Sequence, residues 1–156
     1  DVGRATDSFA VALGTGLGTG FSPLAPGTAG SALGVVLFLL IAPAGTAALA
    51  AVVAVLLPAG LWAAGICGER YGAHDHGRIV IDEVVGQLIA LATFPASPGW
   101  LLAGFLAFRL LDIAKPFPAR LIDRTWRSAA GVMVDDVVAG LYANLVLQAA
   151  RAALGP

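Results

Sequence analysis

Charge is scarce in this chain of 156 residues: Asp, Glu, Lys and Arg make up 12% of it while 58% is hydrophobic, against roughly 25% and 45–50% in soluble globular domains. That composition excludes an ordinary water-soluble globule and points to a lipid solvent. A basic excess is missing too. Nine Lys and Arg stand against ten Asp and Glu, a net charge of −1, which leaves nothing to hold a nucleic-acid backbone. The one cysteine, Cys67, excludes an internal disulfide framework and any thiolate metal cluster. Near Asp1 no basic-then-apolar stretch with a small-residue cleavage site is visible. Gly14-Thr15-Gly16-Leu17-Gly18 has no strand before it, and no Gly-Lys-Ser/Thr ending follows the later glycines, so a nucleotide loop is not supported.

Long uncharged runs are what the chain has instead. Ser8 to Gly68 contains no Asp, Glu, Lys or Arg in 61 residues, and Val84 to Phe108 adds 25 more. A single helix of 61 residues would be about 90 Å long, about three times the hydrocarbon thickness, so the first run must fold back. Pro43, Gly45 and Thr46 mark one break, and six Gly with Pro23 and Pro26 between Gly14 and Gly30 are too much punctuation for a regular helix. Helices are expected at about Gly30 to Ala42, Thr46 to Cys67, Ile79 to Phe94, Gly99 to Ala114 and Val132 to Arg151, with Ser8 to Leu17 a short apolar or re-entrant piece. Pro58 predicts a kink near Ala54. The expected fold is all-α: a polytopic membrane bundle of about four or five short spans, one domain over residues 1–156.

The connections alternate between bare and charged. Pro43 to Gly45 and Pro95 to Pro98 carry no charge, whereas Gly68 to Arg78 and Lys115 to Gly131 carry many. On five crossings, Arg4, Arg70, Arg78, Arg109, Lys115, Arg120, Arg124 and Arg127 share one side and only Arg151 lies opposite. By the positive-inside rule that side is the cytoplasm.

The acidic residues fall on the same side, several of them inside helices, where charge is costly unless a function or a buried partner holds it. Asp82 and Glu83 sit in the first turns of the third helix, with Gly86 beneath them on the same face. Asp135 and Asp136 open the last helix in the same manner, over Ala139, Gly140 and Ala143. One such pair would be explained by the helix dipole alone, at about 0.3–1 kcal/mol per charge. Two pairs at one membrane face would repel unless a cation lay between them. Oxygen-only donors favour Mg²⁺ over zinc.

Arg109, Asp112 and Lys115 recur at spacing three before Pro116, an ordinary ladder of helix ion pairs if taken alone. Beside four carboxylates and a cation, Lys115 and Arg109 supply the charge neutralisation a phosphate ester needs. Pro26, Gly27 and Thr28 offer a rigid turn, an open backbone and a cap hydroxyl, serving equally as an anion cradle or as a plain helix start. In the polar loop, His74 and His76 read as solvated and Asp75 as the better participant. Arg120, Arg124 and Arg127, with Leu121 and Trp126, suit an interfacial helix over anionic headgroups or serve only as topology determinants.

Three blocks carry a resemblance that spans nearly the whole chain: Ser22-Pro23-Leu24-Ala25-Pro26-Gly27-Thr28-Ala29-Gly30-Ser31, Asp75 to Gly86 with its Asp82-Glu83-x-x-Gly86, and Arg109 to Pro118 followed by Gly131 to Gly140 with Asp135-Asp136-x-x-Ala139-Gly140. Together they resemble the phosphatidylglycerophosphatase A family. The resemblance implies a bacterial inner-membrane, Mg²⁺-dependent phosphatase that converts phosphatidylglycerophosphate to phosphatidylglycerol and phosphate at the cytoplasmic face. On that reading Asp82, Glu83, Asp135 and Asp136 hold the metal, and Asp82, Asp112, Lys115 and Asp136 carry the chemistry. Asp112 is a ligand, a general base or the partner that fixes Lys115. Thr28, Arg78, Arg109 and Lys115 bind the substrate; apart from the resemblance, Arg78, Arg120 and Arg124 are expected to reach its second, bridging phosphate. The partners are the phospholipid and the membrane, not nucleic acid. The rivals are a small ion or proton transporter using interfacial carboxylates, which would need mid-bilayer acids and inverted repeats, and a broader lipid phosphatase acting on phosphatidic acid.

Overall fold

The computed structural model describes residues 2–154, which form seven α-helices and, among the described residues, no strand. They are α1 (Val2–Gly14), α2 (Pro26–Ile41), α3 (Thr46–Tyr71), α4 (Ile81–Leu91), α5 (Pro98–Ala114), α6 (Ala119–Thr125) and α7 (Ala129–Leu154), with short 3₁₀ turns at Thr19–Phe21 and Ala42–Ala44. The all-α bundle is thus as the uncharged runs predict. Among the described residues, three segments are long and apolar enough to cross a membrane: Pro26–Ala44, Thr46–Tyr71 and Ala129–Leu154. At 17 residues, α5 stands at the lower limit for a span. Pro58 lies inside α3, which remains helical through it.

The expected Ile79 to Phe94 helix is shorter than its apolar run. Only Ile81–Leu91 is helical, 11 residues or about 16 Å, roughly half the hydrocarbon thickness. At its start, the Val80 N–H donates to Gly14 O instead of entering the helix (2.9 Å). At its end, Ala92 and Phe94 close tight turns onto Ile89 and Leu91. This short helix is the centre of the bundle, packed on α7, α2, α5 and α3, and nine of its eleven residues are buried. A helix that stops among apolar neighbours leaves carbonyls without partners. Asn144 of α7 supplies them, its amide donating to Ile89 O at 3.2 Å and Ala90 O at 3.1 Å. Gln148 and Asn144 both donate to the Thr93 hydroxyl, at 2.7 and 3.2 Å.

Small residues set how closely the helices cross. A Cβ on Gly140 would collide with the Gly86 carbonyl, and one on Gly86 would lie 2.8 Å from the Asp136 carbonyl and 2.5 Å from the Phe108 ring. The α4 and α7 backbones therefore touch where their acidic residues begin. The Gly-rich stretch after α1 has the same cause, for Gly20 sits against the Arg78 carbonyl and Gly30 against Val80.

Two non-glycine residues beside this junction adopt left-handed backbone, Ala25 (φ 47°) before Pro26 and Lys115 (φ 44°) before Pro116. A following proline disfavours the right-handed helical region, so both chains turn sharply there.

Candidate active site

Asp82 and Glu83 occupy the first turn of α4, behind Val80, which has no capping side chain. Asp136 lies two turns into α7, because that helix begins at Ala129 and not at the expected Val132. The helix dipole acts over the first turn only, so it does not account for Asp135 or Asp136. Carboxylate oxygens of Asp82, Glu83 and Asp136 all lie within 4.8 Å of one another. Asp82 and Asp136 are 7% and 3% exposed, and Asp82 Oδ1, Glu83 Oε2 and Asp136 Oδ2 are buried without a hydrogen-bond partner.

Three orphaned carboxylate oxygens buried together are costly unless protons or a cation complete them. The donor set contains oxygen alone, which suits a hard cation. His74 and His76 lie elsewhere: His74 lines a separate cavity with Asp75, and the His76 ring stacks on Tyr71 (4.9 Å). The acidic cluster is therefore a fit for a metal of the hard, oxygen-bound class.

Asp135 is placed differently from its neighbour. Its carboxylate accepts from Lys115 Nζ at 2.5 Å, and the same ammonium donates to Asp123 at 2.8 Å. Partial burial works against the Lys115 charge, but hydrogen bonds and attraction from Asp123 and Asp135 outweigh it and raise its pKa above the ordinary 10.5. Arg109 pairs with Asp112 three residues on, along the same face of α5. Asp112 bears electrostatically on both Asp136 and Glu83, which joins this pair to the acidic cluster. The Arg109 Nε is buried and unpartnered.

The Pro26-Gly27-Thr28 turn closes the site from above. A Cβ on Gly27 would lie 2.5 Å from Glu83 Oε1 and 3.3 Å from both terminal nitrogens of Arg109, so the first turn of α2 rests on that pair. Thr28 is half-buried beside it. Arg78 is not brought to the cluster: its guanidinium lies over the rings of Phe21 (5.2 Å) and Tyr71 (5.5 Å). Motif reading passed over Asp123 and Gln87. Asp123 is legible only through the fold, which returns α6 onto Lys115. Gln87 follows Glu83 by four residues, so helical spacing places it one turn beneath; it is fully buried, with both amide atoms unpartnered.

The molecule is thus an all-helical membrane protein whose acidic centre could hold a metal ion, with Arg109 next to Glu83 and Lys115 joined to it through Asp135. The sequence profile of the phosphatidylglycerophosphatase A family matches residues 12–151, and the chain belongs to that family, which makes it a phosphatase. Phosphatidylglycerophosphatase A of Escherichia coli is 37% identical over 136 residues, 86% of this chain and 79% of that protein. The Haemophilus influenzae protein of the same name is 40% identical over 137 residues, 86% of this chain and 84% of its own. A Bacteroides thetaiotaomicron protein named "Putative phosphatidylinositol-3-phosphatase" is 40% identical over 153 residues, 93% of this chain and 95% of that one. No solved structure matches the chain.

Proposed function

We propose that the chain hydrolyses the terminal phosphomonoester of phosphatidylglycerophosphate at the cytoplasmic face of the bacterial inner membrane, with Mg²⁺ as cofactor. The observation that carries this reading is the orphaned carboxylate triad, Asp82, Glu83 and Asp136, standing beside Lys115 and Arg109. Family membership supplies the phosphatase class and the substrate named for two relatives. The third relative's name specifies another lipid. Both named substrates carry a phosphomonoester beyond a phosphodiester, and that shared chemistry is what the site must accept.

Asp82, Glu83 and Asp136 would hold the metal. A bound divalent ion polarises the phosphoryl group and lowers the pKa of a coordinated water. Lys115 and Arg109 neutralise charge on the phosphoryl oxygens as it develops. Asp135 and Asp123 keep the Lys115 ammonium charged and aimed, and Asp112 orients the Arg109 guanidinium. The α2 turn at Gly27 and Thr28 offers backbone N–H groups and a hydroxyl to the same phosphate. Buried walls of α4 and α7 exclude bulk water, which strengthens each of these interactions.

Phosphate release from the detergent-solubilised protein tests the reading. Release from phosphatidylglycerophosphate that stops with EDTA and returns with Mg²⁺ is the expected result. Release indifferent to EDTA would overturn the metal assignment, and no release from this lipid would overturn the substrate.

A further inference from the structure

A groove of about 370 Å³ is lined by Lys115, Pro116, Phe117, Arg120, Leu121 and Arg124. One wall is cationic. Arg120 and Arg124 stand four residues apart on α6 and so project to the same side, and among the described residues neither makes an ion pair. Arg120 is braced by a hydrogen bond from its guanidinium to Ala114 O (2.9 Å), which leaves its other N–H groups to the groove. The lining is also apolar: Phe117 is 76% exposed and Leu121 51%. Leu110 and Ile113, in the last turns of α5 before this groove's Lys115, are exposed as well. Tyr142 of α7 donates to Phe117 O at 2.9 Å and pins the turn.

Lys115 belongs to both places. It lines the groove, and its ammonium bonds Asp135, the residue next to Asp136 of the acidic centre. The Lys115 ammonium is held toward the acidic centre by Asp123 and Asp135. The unmatched positive charge in the groove is therefore that of Arg120 and Arg124. Lys115 is what links the groove to the carboxylate triad, through Asp135 and the next residue, Asp136.

We propose that this groove is the binding site for the phosphodiester of the lipid substrate, and that Arg120 and Arg124 select lipids bearing two phosphates over those bearing one. This rests on the phosphatase reading above. The terminal phosphomonoester occupies the acidic centre, the bridging phosphodiester meets the two arginines, and the acyl chains leave over Phe117, Leu121, Ile113 and Leu110. Arg78, engaged with Phe21 and Tyr71, takes no part.

The test is the double variant Arg120→Gln/Arg124→Gln, assayed in mixed micelles on phosphatidylglycerophosphate and on phosphatidic acid. Losing two charge-assisted contacts predicts a fall of at least about tenfold in kcat/KM for the first lipid, carried by KM. Phosphatidic acid, which has no second phosphate, should change little, so that selectivity collapses. Arg120→Lys/Arg124→Lys should retain most of it. An equal loss on both lipids, or none on either, overturns the groove while leaving the phosphatase reading intact. Retention of phosphatidylglycerol, which has the phosphodiester alone, is measured in parallel by native mass spectrometry. Weaker retention by the Gln variant is expected, and equal retention overturns the site even if no lipid is hydrolysed.

Discussion

The ammonium of Lys115 lies 2.5 Å from the carboxylate of Asp135, while Asp136, the next residue, turns its own carboxylate into the acidic centre. Consecutive residues on a helix point about 100° apart, so α7 delivers one acid to the cation and the other to the triad.

Their substitutions should therefore separate. Asp136→Asn, Asp82→Asn or Glu83→Gln should lower turnover by about a hundredfold or more and raise the Mg²⁺ concentration needed for half-activity. Asp135→Asn should lower turnover through a misplaced Lys115 and leave the Mg²⁺ requirement unchanged. Steady-state rates against Mg²⁺ concentration check both, and a shared shift in Mg²⁺ demand would place Asp135 among the ligands.

Lys115 has its pKa raised by Asp123 and Asp135, in spite of partial burial. A raised folded-state pKa stabilises the protein fully below the ordinary 10.5 and ceases to do so only as pH climbs through the higher folded value. The Lys115 ion pairs should accordingly persist across the neutral and mildly alkaline range, and the pH–rate profile should show no alkaline limb from this group below that ordinary value. Lys115→Ala should cut turnover at every pH in the range, with the profile's shape preserved.

Gly140 has no room for a methyl group against the Gly86 carbonyl. Gly140→Ala should push α7 from α4, cost about 1–3 kcal/mol, and weaken activity because Asp136 and the Asp82–Glu83 pair ride on the two separated backbones. Melting in detergent and phosphate release should fall together. At Gly99 a Cβ meets nothing, and Gly99→Ala should leave both unchanged.

The 26 residues of α3 run about 39 Å at 1.5 Å per residue, so its two ends belong to opposite membrane faces. In a Cys67→Ala background, a cysteine at Ala44 should react with an impermeant thiol reagent in intact cells and one at Ala73 should not. The reverse pattern would invert the proposed orientation.

The bundle was legible because lipid leaves a plain mark: uncharged runs give the helices and Pro43 to Gly45 gives a break. Helix ends were less so, since apolar residues at Ile79 and Val80 look helical while the fold uses Val80 to bond Gly14 across the chain. That α4 stops after eleven residues depends on Asn144, 54 and 55 residues from the carbonyls it caps, and no local pattern reports such a partner. Of the candidate residues, Asp82, Glu83 and Asp136 do meet, as helical spacing on two converging faces leads one to expect. The division of labour between Asp135 and Asp136 was hidden, because it depends on how α7 is rotated against α4 and α5. Arg78 went to aromatic rings for a similar reason: Phe21 and Tyr71 are near it only once the Gly-rich turn has folded against the loop after α3.

Leu110, Ile113 and Phe117 are exposed at the end of α5 and the turn after it, and on the proposed groove this has a kinetic meaning. Lifting a lipid into water would cost about 0.8 kcal/mol for every methylene, and a groove open sideways to the hydrocarbon avoids that barrier altogether. Encounter then becomes a two-dimensional search along the leaflet. Turnover should follow the mole fraction of substrate among the surrounding lipids, so that adding inert detergent or lipid slows the enzyme at constant bulk substrate concentration.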